Sequence, residues 1–575
     1  MKPPLIYLWL VLLLMTSATG YGSDRIANTK HDLSVHSPNA IRAVDEEQIC
    51  IFCHVTHNAE PQTPLWNRHS PSVRYRIYHS STTDARIDQP SGPSKMCLSC
   101  HDGTLALGLV RSRPATDPIA MTTFTMPLGS SDLTTDLSDD HPIGFRYDRA
   151  LSNADHQLRD PQLISHKLEL GPHNEVHCTT CHDPHDNELG DFLRMPVRQG
   201  ALCISCHKMD GWSVCSHALS PRHVPSRPID PARRLEFATL SDNSCLTCHQ
   251  IHGAEGRERL LKFASAESNC VVCHDGTGAS TDILSVIRLS SSHRPRSFGN
   301  HHDPGERIER IVPNHVECVD CHNPHAARSG KISPGLGNQG TITGPLLNVP
   351  GIGLQGQQVR FARQEYEVCL RCHGDRPVKT GRTISRVQPD QNLRRQISPS
   401  AASSHPLVLP RPAADVPSIL PDLAGKRILC TDCHNSNNAR SLGGSGPDGP
   451  HGSAFDPILG LRYETRDSTV ESATVYALCY RCHSRSSILA NDSFSLHRRH
   501  IVNVRTPCSA CHDPHGVAGS KTTAGHLINF DRSLVTPSER GGIEFRDLGR
   551  FQGTCTLKCH GVNHVDFRYS PTTPP

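Results

Sequence analysis

Residues 178–185 read "CTTCHDPH", and the same frame returns at 318–325 as "CVDCHNPH" and at 508–515 as "CSACHDPH". Two cysteines enclosing two residues, with a histidine directly after the second, form one unit. A further histidine three residues on forms another. Working outward from this octapeptide, the first unit occurs at eleven places among the 575 residues. These are Cys50, Cys53 and His54; Cys97, Cys100 and His101; Cys178, Cys181 and His182; Cys203, Cys206 and His207; Cys245, Cys248 and His249; Cys270, Cys273 and His274; Cys318, Cys321 and His322; Cys369, Cys372 and His373; Cys430, Cys433 and His434; Cys479, Cys482 and His483; and Cys508, Cys511 and His512. A twelfth, Cys555, Cys559 and His560 in "CTLKCH", has one extra residue between its cysteines. Twenty-four of the 25 cysteines are used in this way. Cys215 is left over, and reads as a small buried side chain or a free reactive thiol.

The order thiol, thiol, imidazole carries the chemistry. Attachment of c-type haem needs two thiols for the vinyl groups of one porphyrin edge and a histidine that reaches the iron. Zinc knuckles use Cys-x-x-Cys but do not demand a histidine after every second cysteine. A disulfide framework has no use for that histidine, and thioredoxin-like sites are not repeated along a chain. The expected cofactor is haem c, twelve copies, held by thioethers from the 24 cysteines with the twelve histidines as proximal iron ligands.

The motifs alternate in their flanks. First members carry a second histidine at the third position: His57, His185, His252, His325 and His515. Second members do not. This sorts the chain into six doublets, starting at 50/97, 178/203, 245/270, 318/369, 430/479 and 508/555. After each doublet stands an isolated histidine: His141, His217, His293 and His405, then His500 or its neighbour His497, then His564, with His526 before it. No methionine follows Met209, although eight motifs do. The 26 histidines left from 38 after the twelve proximal ones are therefore the available second iron ligands, and bis-histidine haems of low potential are expected. His185 cannot easily serve the haem of His182, because three residues reach only about 10 Å. It should reach a neighbouring haem. The motif at 430 breaks the rule with Asn437 in place of the histidine; His451 is expected to substitute, the alternative being a five-coordinate iron that can bind substrate.

Composition agrees with a cofactor-filled interior. Only 36% of residues are hydrophobic and 5% aromatic, thin for a polypeptide core. The 44 prolines and 42 glycines oppose long helices and continuous sheet. The expected fold is mostly coil with short α-helices and low strand content, a multihaem cytochrome c organised around a haem chain in six CXXCH doublets. Weak helical stretches fall at Arg257–Glu267 and Tyr463–Leu478. The expected divisions are a signal peptide over 1–22, then doublets over 23–150, 151–225, 226–300, 301–415, 416–503 and 504–575. The signal peptide rests on Lys2, the apolar run Leu5 to Met15 and the small residues Ala18 to Gly20. Export follows, to the periplasm or the cell exterior. No later segment is long and apolar enough to span a membrane. A net charge of +3 gives no field for nucleic acid.

"CLSCHDGT" followed by "DDHPIGF", then "CTTCHDPH…FLR…LCISCH", resembles the doubled Cys-x-x-Cys-His cytochromes, multihaem c-type cytochromes of bacteria that respire on metals or other extracellular acceptors. The resemblance implies that His141 and its counterparts are distal ligands, and some members of that family sit at the outer surface or form filaments. Unlike dodecahaem members at the outer membrane, this chain has no lipidation cysteine. The functional expectation is electron transfer along twelve haems in anaerobic or extracellular respiration, not catalysis. The partners would be other redox proteins or a periplasmic or extracellular acceptor, with a homo-oligomer or filament as a further form. A reductase of a small inorganic substrate with one open haem is the rival reading.

Overall fold

The computed structural model describes residues 26–60, 65–224, 235–295, 316–332, 342–375, 384–389, 392–412 and 414–572. The segment read as a signal peptide lies outside these. Two compact units divide the chain: residues 1–209 with 228–264, and residues 210–227 with 265–575. The first five motifs lie in one unit and the last seven in the other.

Apolar packing is sparse and scattered. Among the described residues it forms small clusters, such as Ala43, Phe52, Val110 and Ile119 in the first unit and Phe530, Val535, Phe545, Leu557 and Tyr569 in the second. Polar side chains do some of the bracing that a larger core would do. Arg68 is fully buried, and its guanidinium donates to Ser99 Oγ (3.1 Å) and to the carbonyls of Ser99 (3.0 Å), Ala106 (3.0 Å) and Leu107 (2.7 Å). Neutral acceptors alone satisfy this buried cation, which fastens the segment after the first motif to the loop after the second.

The longest helices end in a motif: α1 (Gly92–His101) and α2 (Glu365–His373). Proline at the start of α1 supplies a preset φ, and Gln364 with Glu367 closes a capping box on α2. The two expected helical stretches are not formed. Arg257–Glu267 holds a 3-10 turn at Glu258–Leu260, where Arg259 adopts a left-handed φ of 66°, and only its last two residues enter a helix, Ala266–Val271. Tyr463–Leu478 is extended and turned, with Ser468 at a φ of 58°, and only Ala477–Tyr480 is helical.

Strand is used in two ways. Two-residue strands tie distant segments together: β1 (Ser291–Ser292) with β3 (Gly452–Ser453), and β2 (Ser403–Ser404) with β4 (Gly516–Val517), both antiparallel. The C-terminus instead forms a true sheet, which the expectation of low strand content did not include. There β7 (Gln552–Cys559) is flanked by β8 (Val562–Tyr569) along one edge and by β6 (Glu544–Gly549) and β5 (Val535–Thr536) in succession along the other. Cys559 pairs with Val562 across a two-residue turn of His560 (φ 48°) and Gly561 (φ 75°), the positive angles that a tight hairpin requires.

Candidate functional site: paired imidazoles at the CXXCH turns

Nine motifs fold into a single tight turn in which the histidine N–H donates to the carbonyl of the first cysteine at 2.8–3.0 Å. The other two regular motifs close α1 and α2. In all eleven the cysteines sit one helical turn apart, about 5–6 Å, on the same side of the chain. The twelfth differs. Cys555 and Cys559 lie four residues apart along β7, about 13 Å at strand rise, and His560 occupies the hairpin turn. Its Nε2 lies 3.3 Å from the Thr506 hydroxyl, within hydrogen-bond distance, and 3.2 Å from Asp467 Oδ1.

Opposite most motif histidines stands a second imidazole. The pairs are His54 with His185 (6.0 Å between ring centres), His101 with His31 (6.2 Å), His182 with His252 (6.4 Å), His207 with His141 (6.3 Å), His274 with His217 (6.2 Å), His322 with His451 (5.9 Å), His373 with His293 (6.0 Å), His434 with His515 (6.0 Å) and His483 with His405 (6.4 Å). Stacked rings would touch at a much shorter distance. A metal bonded to a nitrogen of each ring at about 2 Å, with roughly 1 Å from nitrogen to ring centre on either side, gives about 6 Å. The gap has the width of one iron and its two bonds.

The doubled CXXCH motif family matches residues 171–211 and 238–279. The chain carries the doubled CXXCH motif. That is consistent with a multihaem c-type cytochrome, and the two matched segments contain the motifs at 178/203 and 245/270. No curated protein matches the chain.

The remaining geometry concerns how the rings are held. Nδ1–H donates to a backbone carbonyl at His101 (Ser131, 2.6 Å), His182 (Asp191, 2.8 Å), His249 (Arg259, 2.8 Å), His322 (Pro345, 3.0 Å), His434 (Pro457, 3.1 Å) and His512 (His526, 2.9 Å). The facing rings do the same at His141 (Pro142, 3.0 Å), His217 (Pro324, 3.0 Å) and His405 (Pro514, 2.5 Å). Fixing the proton on Nδ1 leaves the Nε2 lone pair for a metal. Burial holds His182, His249, His322, His434, His141 and His405 below the ordinary imidazole range. It lowers His207, His373 and His483 to about 4, with His141, His293 and His405 respectively as the next cause, and it lowers His451 and His515 to about 3.

The CH-x-P-H stretch thus has two functions in the second unit. In "CHNPH" and "CHDPH" the proline carbonyls of Pro324 and Pro514 hold His217 and His405, and His515 itself faces His434. The 430 motif keeps the same dipeptide, displaced: the Pro450 backbone lies beside the His293 ring while His451 faces His322. The two-residue strands set this up. Continuing their registers by one residue places His293 against His451, whose carbonyl accepts the His293 N–H (3.2 Å), and His405 against His515. In the first unit the Pro184 backbone lies beside the His31 ring, and the His141 N–H donates to Ile251 O (2.8 Å) beside His252.

Sequence inspection missed His31 because only histidines after a motif were considered. It precedes the first doublet, as each isolated histidine precedes the doublet whose second motif it faces. His57 is exposed and stands in none of the nine pairs. By the observed register its counterparts His185, His252 and His515 each face the first motif of the preceding doublet. His325 packs edge-on to Trp212 (6.0 Å). His564 packs edge-on to Phe567 (5.4 Å), and His500 lies against Phe494 with its Nδ1–H on Leu496 O (2.8 Å). His497 is half-buried, and is lowered to about 3 first by desolvation and then by His512. Cys215 is fully buried, its Sγ 3.2 Å from Pro324 O and 3.3 Å from Ala327 O.

Consecutive motifs are also adjacent in space within each unit. The thiol of Cys97 lies beside that of Cys178, Cys203 beside Cys245, Cys270 beside Cys318, Cys369 beside Cys430, and Cys479 beside Cys508. Inside doublets Cys53 lies near Cys100, Cys181 near Cys206, and Cys433 near Cys482.

Eleven motifs fit covalent haem: paired cysteines in a turn, a Nδ1-fixed proximal ring in most of them and, for nine, a facing ring at iron width. The strand form of the Cys555 motif does not fit.

Proposed function

We propose that this chain is an electron-transfer protein with haem c at its eleven regular CXXCH turns and histidine on both sides of most irons. The nine imidazole pairs at 5.9–6.4 Å carry this reading. On this wiring His185 and His31 complete the first doublet, His252 and His141 the second, His451 and His293 the fourth, and His515 and His405 the fifth. His217 serves His274, and His497 serves His512. Adjacency of successive motifs supports electron passage in sequence order inside each unit, with no substrate pocket required. Haem supplies the one-electron couple. The protein sets axial ligation, spacing and exclusion of water. A twelfth haem would need β7 to give up its pairing between Cys555 and Cys559. The apolar N-terminal run supports export, and among the described residues no helix is long and apolar enough to cross a membrane. We place the protein in the periplasm or outside the cell, exchanging electrons with other redox proteins or an external acceptor in anaerobic or extracellular respiration.

Low-temperature electron paramagnetic resonance of the purified protein tests this. Low-spin ferric signals should account for nearly all the iron. A substantial high-spin fraction would overturn the wiring and favour the open-iron reductase.

A further inference from the structure

We infer that Asp140 is a positioning residue that lowers the potential of the haem at His182 below that of its sister sites, through the axial ring of His252. The inference rests on the ligand reading above. Among the paired rings, nearly all the Nδ1 bonds described end on a neutral oxygen, a backbone carbonyl or, for His483, the hydroxyl of Ser418 (3.1 Å). His252 is different. Its Nδ1–H donates to the carboxylate of Asp140 at 3.0 Å, and the same Oδ1 accepts the N–H of Gly253 at 3.2 Å. Asp140 is 5% exposed, so water does little to screen it. Arg257, the nearby cation, spends its shortest bonds on Asp136 and Ser138, the first at 2.7 Å.

Placement is firm. The Asp139 carbonyl accepts from Ala254 N (2.9 Å) and the His141 N–H donates to Ile251 O (2.8 Å), so the segments carrying Asp140 and His252 are joined on both sides of the contact. The equivalent residues, those directly before an isolated histidine, are Lys30, Ser216, Ser292 and Ser404. Only this doublet has a carboxylate there. At the counterpart ring His451 the contrast is complete: its Nδ1 is buried with no hydrogen-bond partner. At His185, the ring facing His54, Asp183 stands 3.6 Å from Nδ1, beyond bonding distance. A carboxylate on Nδ1–H gives the imidazole partial imidazolate character, and a more basic axial ligand favours Fe(III) over Fe(II).

The test is a spectroelectrochemical titration of the full haem-loaded protein, followed by electron paramagnetic resonance, for wild type, Asp140→Asn, Asp140→Ser, Asp140→Glu and His252→Ala. Asp140→Asn and Asp140→Ser should each move one haem toward Fe(II) by at least tenfold, which for one electron is about 59 mV, with the low-spin count unchanged. Asp140→Glu, which keeps the charge, should stay near wild type. His252→Ala should convert one haem to high spin; if it does not, the ligand reading itself fails. If it does, and Asp140→Asn leaves every midpoint in place, the tuning inference is overturned. The same holds if Asp140→Asn itself turns that haem high-spin, since Asp140 would then only prop the ring.

Discussion

A histidine three residues past a CXXCH turn cannot come back over its own porphyrin, and the structure puts His185 opposite His54 instead. His185→Ala should therefore convert one haem to high spin at the first motif and leave the haem of its own motif, at His182, low-spin. Absorbance and electron paramagnetic resonance of the variant check both halves. A second residue governs acid stability. Burial alone would raise the carboxyl of Glu464, but the Arg466 N–H (3.0 Å) and the guanidinium groups of Arg462 (2.5 Å) and Arg466 (3.3 Å) outweigh it and hold it at about 2. A carboxyl lowered on folding stabilises above its unfolded pKa of about 4.3 and loses that contribution as pH falls toward 2. Glu464→Gln should cost about 1–3 kcal/mol at pH 7 and little at pH 2, measured by denaturant unfolding. The residues themselves could be picked out in the sequence: the eleven regular motifs, and His451, which stands opposite His322. The register of wiring could not. Which haem each ring faces depends on strand pairings between segments more than a hundred residues apart, and local spacing cannot encode that.

At the scale of elements, the shortest strands matter most. Each of β3 and β4 opens with a glycine directly after the facing histidine, and a Cβ there would overlap a backbone carbonyl, Val286 O at Gly452 and Gln396 O at Gly516. Gly452→Ala should cost about 1–3 kcal/mol and raise high-spin signal at both His322 and His373, because one strand pair positions both facing rings. Signal at a single haem would show that the strands act separately. Ring orientation follows the doublets too. Planes at first motifs are nearly parallel, from 7° at His434 to 36° at His182, whereas those at second motifs cross at 46° to 88°. Parallel and crossed axial planes split the iron d orbitals differently, so two families of low-spin signals are expected, and a single uniform family would contradict the geometry. The C-terminal sheet was hidden by the motif it contains. "TCTLKCHGVNHVDF" alternates side chains as a strand does, and His560 with Gly561 spells a hairpin turn, but the cysteines drew it into the doublet count.

For the molecule as a whole, small apolar clusters and neutral-oxygen bonds to Arg68 leave an interior that needs its cofactors. Chain produced without haem attachment should lack a cooperative unfolding transition in calorimetry. Intact mass of the loaded protein should correspond to eleven haems; twelve would show that β7 is rebuilt when haem attaches. The strand pairs also bear on how such a chain is made. The ring facing His54 lies 131 residues further along, at 185 − 54, and that facing His322 lies 129 further, at 451 − 322. A polypeptide threaded out of the cytoplasm N-terminus first would therefore present the iron of each first motif with one bare face until the histidine of the next doublet had emerged, whereas the ring facing each second motif would already be outside. Assembly would proceed as a travelling front, and an arrested export intermediate would be recognisable by a single unfinished doublet at its trailing edge.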